Sequence, residues 1–176
     1  MNLHIEKALK NDISSVAQLY DDLIDYLTER TNYPGWKKGV YPTSEDAEKG
    51  INDGELFVVR DGDKIAGTII LSHEPENGYD TVKWLCDSDY KDIYVIRTFA
   101  VHPLYLKKGI GKMLMKFADD QAVVHNIKSI RLDVFRKNMP AIKLYESCGY
   151  KYLDTIDEGY GMYGLDLFRI YEKLVR

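Results

Sequence analysis

Apolar and polar positions alternate near the start of the chain and then fall into a helical rhythm. Leu3–Lys7 reads as a short strand. Val16, Leu19, Tyr20, Leu23, Ile24 and Leu27 recur at intervals of three and four, which predicts an amphipathic helix with Asn11 or Asp12 placed to cap it. Over residues 31–42 the rhythm gives way to Asn32-Tyr33-Pro34-Gly35-Trp36 and Tyr41-Pro42, a loop carrying several large aromatics. Thr43 and Asp46 have the spacing of a capping box and open a short second helix reaching about Ile51. Residues 55–60 and 64–72 are rich in β-branched and aromatic side chains and are joined by Asp61-Gly62-Asp63, the signal of a β-hairpin.

After a polar stretch holding Pro75, Gly78 and Trp84, residues 92–101 read as a long, mostly buried strand that ends at His102-Pro103. Ile110, Met113, Leu114, Phe117 and Val124 then share a helical face. Ile130, Leu132 and Val134 alternate with Arg131 and Asp133 as in a strand, which makes the set a β-α-β crossover. Asn138 is placed to cap a further helix through Ser147, Gly149 to end it, and two last strands are expected over 150–155 and 167–173. No repeat, linker or low-complexity tract interrupts the chain. The expectation is α/β: one domain over 1–176, built on a mixed, mostly antiparallel sheet with a central parallel β-α-β crossover and helices on both faces.

Composition narrows the function classes. The 176 residues, 45% hydrophobic and 30% charged, suit one globular domain. No apolar run approaches the roughly 20 residues of a membrane span, and the opening residues lack the apolar core of a signal peptide, so no membrane partner is expected and a cytoplasmic location is. Cys86 and Cys148 are the only cysteines, with no CxxC pair or Cys/His cluster, which argues against a disulfide framework and a metal site. A net charge of −4 offers nucleic acid no general attraction.

The richest stretch joins the long strand to the next helix: Val101-His102-Pro103-Leu104-Tyr105-Leu106-Lys107-Lys108-Gly109-Ile110-Gly111-Lys112. A helix start presents backbone N–H groups and the positive end of the macrodipole, glycines admit an anion close to that backbone, and Lys107, Lys108 and Lys112 add charge. Either a phosphate cradle or a tight turn with solvated lysines satisfies this pattern. It is not a Walker loop, because Gly111-Lys112 is followed by Met113. Nor is it a dinucleotide fingerprint, because Leu114 stands where the third glycine belongs.

With Val101-His102-Pro103, Lys108-Gly109-Ile110-Gly111 and, later, Asn138-Met139-Pro140-Ala141-Ile142-Lys143-Leu144-Tyr145, the chain resembles the GNAT superfamily of acyl-CoA-dependent N-acyltransferases. That family's pyrophosphate loop, Gln/Arg-x-x-Gly-x-Gly/Ala, follows a strand and Val-x-Pro. The resemblance covers essentially the whole chain. It implies acetyl-CoA as cosubstrate, its pyrophosphate at Lys107, Lys108, Gly109, Ile110, Gly111 and Lys112. It implies pantetheine and the acetyl carbonyl on the backbone of Phe99, Ala100 and Val101, where the strand splays from its neighbour. Asn138 is implied to bind cofactor, although helix capping explains it equally. Leu106 departs from the pattern, standing where the family has Gln or Arg, and the two lysines after it replace the lost charge.

In the same resemblance Tyr145 lies beside the CoA sulfur, where a phenol with a reference pKa near about 10 is protonated and serves as general acid for the leaving thiolate. Many relatives carry a glutamate base in the central strand; this one offers Arg97-Thr98. Asp92 and His102 are weak substitutes, so a water chain is expected to carry the proton. Tyr33, Trp36 and Tyr41 either wall an acceptor site or pin their loop to the core. Asp21, Asp22, Asp25 and Glu29 either attract an amine or form a solvated helix face. The expected activity is acetyl transfer to a primary amine on a small molecule. A peptide or protein amine, or an acyl-CoA sensor without turnover, remain the alternatives, and the chain is expected to be a monomer or homodimer.

Overall fold

The computed structural model describes residues Met1–Arg176. The elements run β1 (Leu3–Lys7), α1 (Ile13–Thr28), α2 (Ser44–Asn52), β2 (Leu56–Asp61), β3 (Lys64–Ser72), β4 (Ile93–Val101), α3 (Ile110–Val124), β5 (Ser129–Phe135), α4 (Met139–Ser147), β6 (Lys151–Ile156) and β7 (Phe168–Leu174). The strands are ordered β1-β2-β3-β4-β5-β7-β6. β4 and β5 are parallel, in register from Ile93↔Ser129 to Val95↔Arg131, while β1 with β2, β2 with β3, β5 with β7 and β6 with β7 are antiparallel. This is the mixed, mostly antiparallel α/β architecture that the sequence pattern predicts, with helices flanking the sheet. No helix is long and apolar enough to cross a membrane.

The chain divides into two compact units. The first comprises Met1–Asn32, Trp36–Leu71 and Arg97–Phe117. Its core packs Val16, Leu19, Tyr20 and Leu23 of α1 with Ala47 and Ile51 of α2 and Leu56, Val58, Ile65 and Ile70 of the hairpin, each large aliphatic contributing about 1.5–3 kcal/mol on burial. The capping box opening α2 forms as expected, with the Thr43 N–H donating to Asp46 Oδ2 at 2.7 Å. The expected cap of α1 does not. Residues Lys10–Asp12 form a 3-10 turn and the Asp12 side chain makes no cap bond. Its Oδ2 accepts from the Leu9 N–H at 2.8 Å and its Oδ1 takes Arg60 Nη2 at 2.7 Å. A charged partner 48 residues away wins over the local N–H groups because a charge-assisted bond is the stronger one.

The second unit comprises Tyr33–Gly35, Ser72–Ile96 and Ala118–Arg176. In it, Tyr79, Val82, Trp84 and Tyr90 of the segment before β4 pack with Val95 and Ile170. Under that segment lies Arg131, 2% exposed, and Glu172, fully buried. Glu172 accepts from Ser129 Oγ at 2.5 Å, the Leu85 N–H at 2.6 Å and Arg131 Nε at 3.3 Å. Arg131 also donates to the Cys86 carbonyl at 2.6 Å and to the Tyr90 hydroxyl at 2.9 Å, with its guanidinium 4.0 Å from the Trp84 ring. Both ions are therefore satisfied, which is the condition for burying them.

Candidate functional site

The strand-to-helix connection of the first unit is built from the residues outward. β4 ends at Val101, the His102 N–H donates to the Ala66 carbonyl at 2.9 Å, and Pro103–Tyr105 form one 3-10 turn. His102 is a turn residue: Nδ1 accepts from the Leu104 N–H and Nε2 lies 3.2 Å from Asp22 Oδ2, so the imidazole proton sits on Nε2. The Tyr105 hydroxyl donates to Asp61 Oδ2 at 2.9 Å, raising the phenol and lowering the carboxylate from their ordinary values. These bonds fix where the next turn begins.

In that next turn Lys107 has φ +61° and Gly109 φ +82°, both left-handed, on either side of Lys108, whose φ is negative. Backbone that alternates in hand in this way points successive N–H groups into one concavity, an anion-binding nest. A Cβ built on Gly109 would meet nothing within 4 Å, so there is room above it. α3 starts immediately after, and its geometry leaves the N–H groups of Ile110, Gly111 and Lys112 without an acceptor inside the helix. Lys107, Lys108 and Lys112 are exposed. The donor set suits a pyrophosphate.

Two backbone features that carry no local sequence signal shape the same unit. Gly67 on β3 lies under the start of α3, where a Cβ would come 2.8 Å from Ile110 Cγ2 and 3.1 Å from the Ala100 carbonyl oxygen. Thr98 lies within β4 at φ +47°. For a β-branched residue that conformation costs on the order of 1–3 kcal/mol, and it falls just before Phe99, Ala100 and Val101. The Thr98 hydroxyl is 2.8 Å from the Tyr41 hydroxyl.

Of the aromatic loop residues, Trp36 and Tyr41 meet edge to face at 6.0 Å in the first unit, whereas Tyr33 falls in the second. The acidic residues of α1 are partly engaged: Asp25 takes Lys38 Nζ at 2.7 Å, and Asp22 takes Gln18 besides His102. In the second unit Asn138 caps α4, its Oδ1 accepting from the Ala141 N–H at 3.4 Å. Tyr145, 6% exposed, lies two turns into that helix with its ring 6.2 Å from that of Tyr150. Asp92 holds Lys128 at 3.3 Å, and Cys148 is half-buried.

Three comparisons bear on this arrangement. A family model described as the acetyltransferase (GNAT) family matches residues 16–150. UPF0157 protein YqkA of Bacillus subtilis strain 168 is 33% identical over 75 residues, which make up 42% of this chain and 20% of that protein, so the match spans about a fifth of the relative's length. Solved structures of GNAT-family acetyltransferases share the fold. That from Listeria monocytogenes 4b F2365 has a TM-score of 0.77 at 18% identity, covering 98% of this chain and 95% of its own. That from Streptococcus agalactiae 2603 has a TM-score of 0.76 at 19% identity, covering 99% and 96%.

Proposed function

Because this chain belongs to the GNAT family of acetyltransferases, we propose that its 176 residues act as one N-acetyltransferase domain, moving an acetyl group from acetyl-CoA to a primary amine on a small molecule. The observation that carries the reading is the turn of alternating hand at Lys107, Lys108 and Gly109, set between a buried strand and the start of a 15-residue helix. In this reading the turn and the first N–H groups of α3 hold the pyrophosphate, with the three lysines supplying charge. The backbone of Phe99, Ala100 and Val101 holds pantetheine and polarises the acetyl carbonyl. Asn138, besides capping α4, borders the cofactor. Tyr145 donates its phenolic proton to the departing thiolate. Trp36, Tyr41 and Tyr33 contribute to the acceptor wall.

The test is to mix the protein with acetyl-CoA and each of tyramine, spermidine and glycinamide, and to follow release of the CoA thiol. Release with at least one amine is expected. In the Gly111→Asp variant, where a carboxylate replaces a proton at the cradle, CoA affinity measured by calorimetry should be lost. In Tyr145→Phe, turnover should fall on the order of 100-fold with binding kept. Tight binding without release on any amine would make the protein an acyl-CoA sensor, and unchanged CoA affinity in a folded Gly111→Asp protein would remove the cofactor from this turn.

A further inference from the structure

An amine that attacks a thioester must lose a proton, and the central strand offers Arg97 and Thr98 with no carboxylate beside them. We propose that the hydroxyls of Thr98 and Tyr41 are the outlet for that proton, Thr98 taking it from the acceptor nitrogen and Tyr41 passing it to solvent. The inference rests on the transferase reading above.

Four observations carry it. The two hydroxyls are 2.8 Å apart, within the range of proton transfer along a hydrogen bond. They run from inside to outside, Thr98 being 7% exposed and Tyr41 40%. Thr98 keeps a strained left-handed backbone inside β4, one residue before the backbone assigned to the acetyl carbonyl, and strain of this kind clusters at functional sites. Finally, the other groups near the pair are unsuited to the task. Asp46 is held by the Thr43 N–H at 2.7 Å and by its hydroxyl at 3.1 Å. Tyr20 is fully buried, and burial, then the charges of Tyr41 and Asp46, push its phenol far above the ordinary range, so it stays protonated. The buried hydroxyls of Tyr20 and Thr68 have no hydrogen-bond partner. Arg97 is a cation with no acceptor, and His102 is tied to Asp22.

The step balances. As the nitrogen attacks, the C–N bond forms and the C–S bond breaks. The nitrogen's proton passes to Thr98 Oγ1, the proton of Thr98 to Tyr41 Oη, and the proton of Tyr41 to water, so both hydroxyls end as they began. Tyr145 gives a proton to sulfur and regains one from solvent, and the net change is one proton moved from nitrogen to sulfur.

The experiment is single-turnover acetylation of the same three amines by wild type, Thr98→Val, Thr98→Ser, Tyr41→Phe and the Thr98→Val/Tyr41→Phe double variant, with acetyl-CoA affinity measured alongside. Thr98→Val and Tyr41→Phe should each slow transfer by about 10–100-fold and leave acetyl-CoA affinity within about 2-fold. The double variant should be no slower than the slower single one, because either change breaks the same path. Thr98→Ser should transfer near the wild-type rate, and added imidazole should restore part of the rate to the two slow variants and none to wild type. Wild-type transfer by a folded Thr98→Val or Tyr41→Phe protein, or losses that multiply in the double variant, overturn the relay and leave the transferase reading standing. A wild type that acetylates none of the three amines overturns both.

Discussion

A guanidinium at 2% exposure is tolerated only while every face of it is occupied. Arg131 meets this with Glu172 on Nε, the Cys86 carbonyl and Tyr90 hydroxyl on its other nitrogens, and Trp84 against its plane. Arg131→Ala would leave the Glu172 charge buried beside Ser129 and the Leu85 N–H and would free the segment before β4. Its expected cost is about 3–5 kcal/mol in urea unfolding, and a loss under about 1 kcal/mol would mean that the network contributes nothing net. The sequence shows Arg131 and Asp133 alternating with apolar residues along one strand. What covers that face is a segment some 41 residues earlier, whose Trp84 and Tyr90 stack on the guanidinium and whose Tyr79 donates to Asp133 at 2.5 Å. No local pattern announces such a contact, so the site of Arg131 was not legible in advance. The cap that Asn138 places on α4 was legible, because its position just ahead of the helix is itself the signal.

For secondary-structure elements the same division holds. The capping box of α2, the hairpin turn at Gly62 with φ +60° and the end of α4 at Gly149 with φ +88° are local chemistry and follow from adjacent residues. Asp12 makes no cap bond because its partner is Arg60 on β2, and the left-handed backbone of Thr98 has no local signal because threonine carries no signature of it. Gly67 was equally silent, since its requirement comes from the helix pressing on it rather than from its own φ. Gly67→Ala tests that pressure. The added methyl would meet Ile110 and the Ala100 carbonyl and force the start of α3 outward at an expected 1–3 kcal/mol of stability, roughly the usual penalty for overpacking. If the turn before α3 holds pyrophosphate, CoA affinity should fall by about 10-fold in the same variant, as calorimetry would show. Native affinity with native stability would mean that α3 has slack at this contact.

Across the whole molecule the clearest pH response lies on the alkaline side. Tyr20, Tyr79 and Tyr150 are each at most 3% exposed, and in each case burial is the main cause that raises the phenol above its ordinary value. Below about pH 10 these phenols are protonated in both folded and unfolded chains, and their contribution is fully present. Above it the unfolded chain releases three protons that the folded one retains, so stability falls by about 4 kcal/mol per pH unit until the folded phenols ionise. Urea midpoints that stay flat from about pH 8 to about pH 11 would show that water reaches these rings. The strand order carries a different consequence, for synthesis. β7 comes last in the chain yet pairs with β5 on one side and β6 on the other. While the ribosome is still delivering residues 168–174, β6 has no strand to join and β5 has a bare edge, a hazard for pairing with another nascent chain. β6 meets that interval with Lys151 and Asp154, both charged and exposed, which discourages the waiting strand from pairing with another chain.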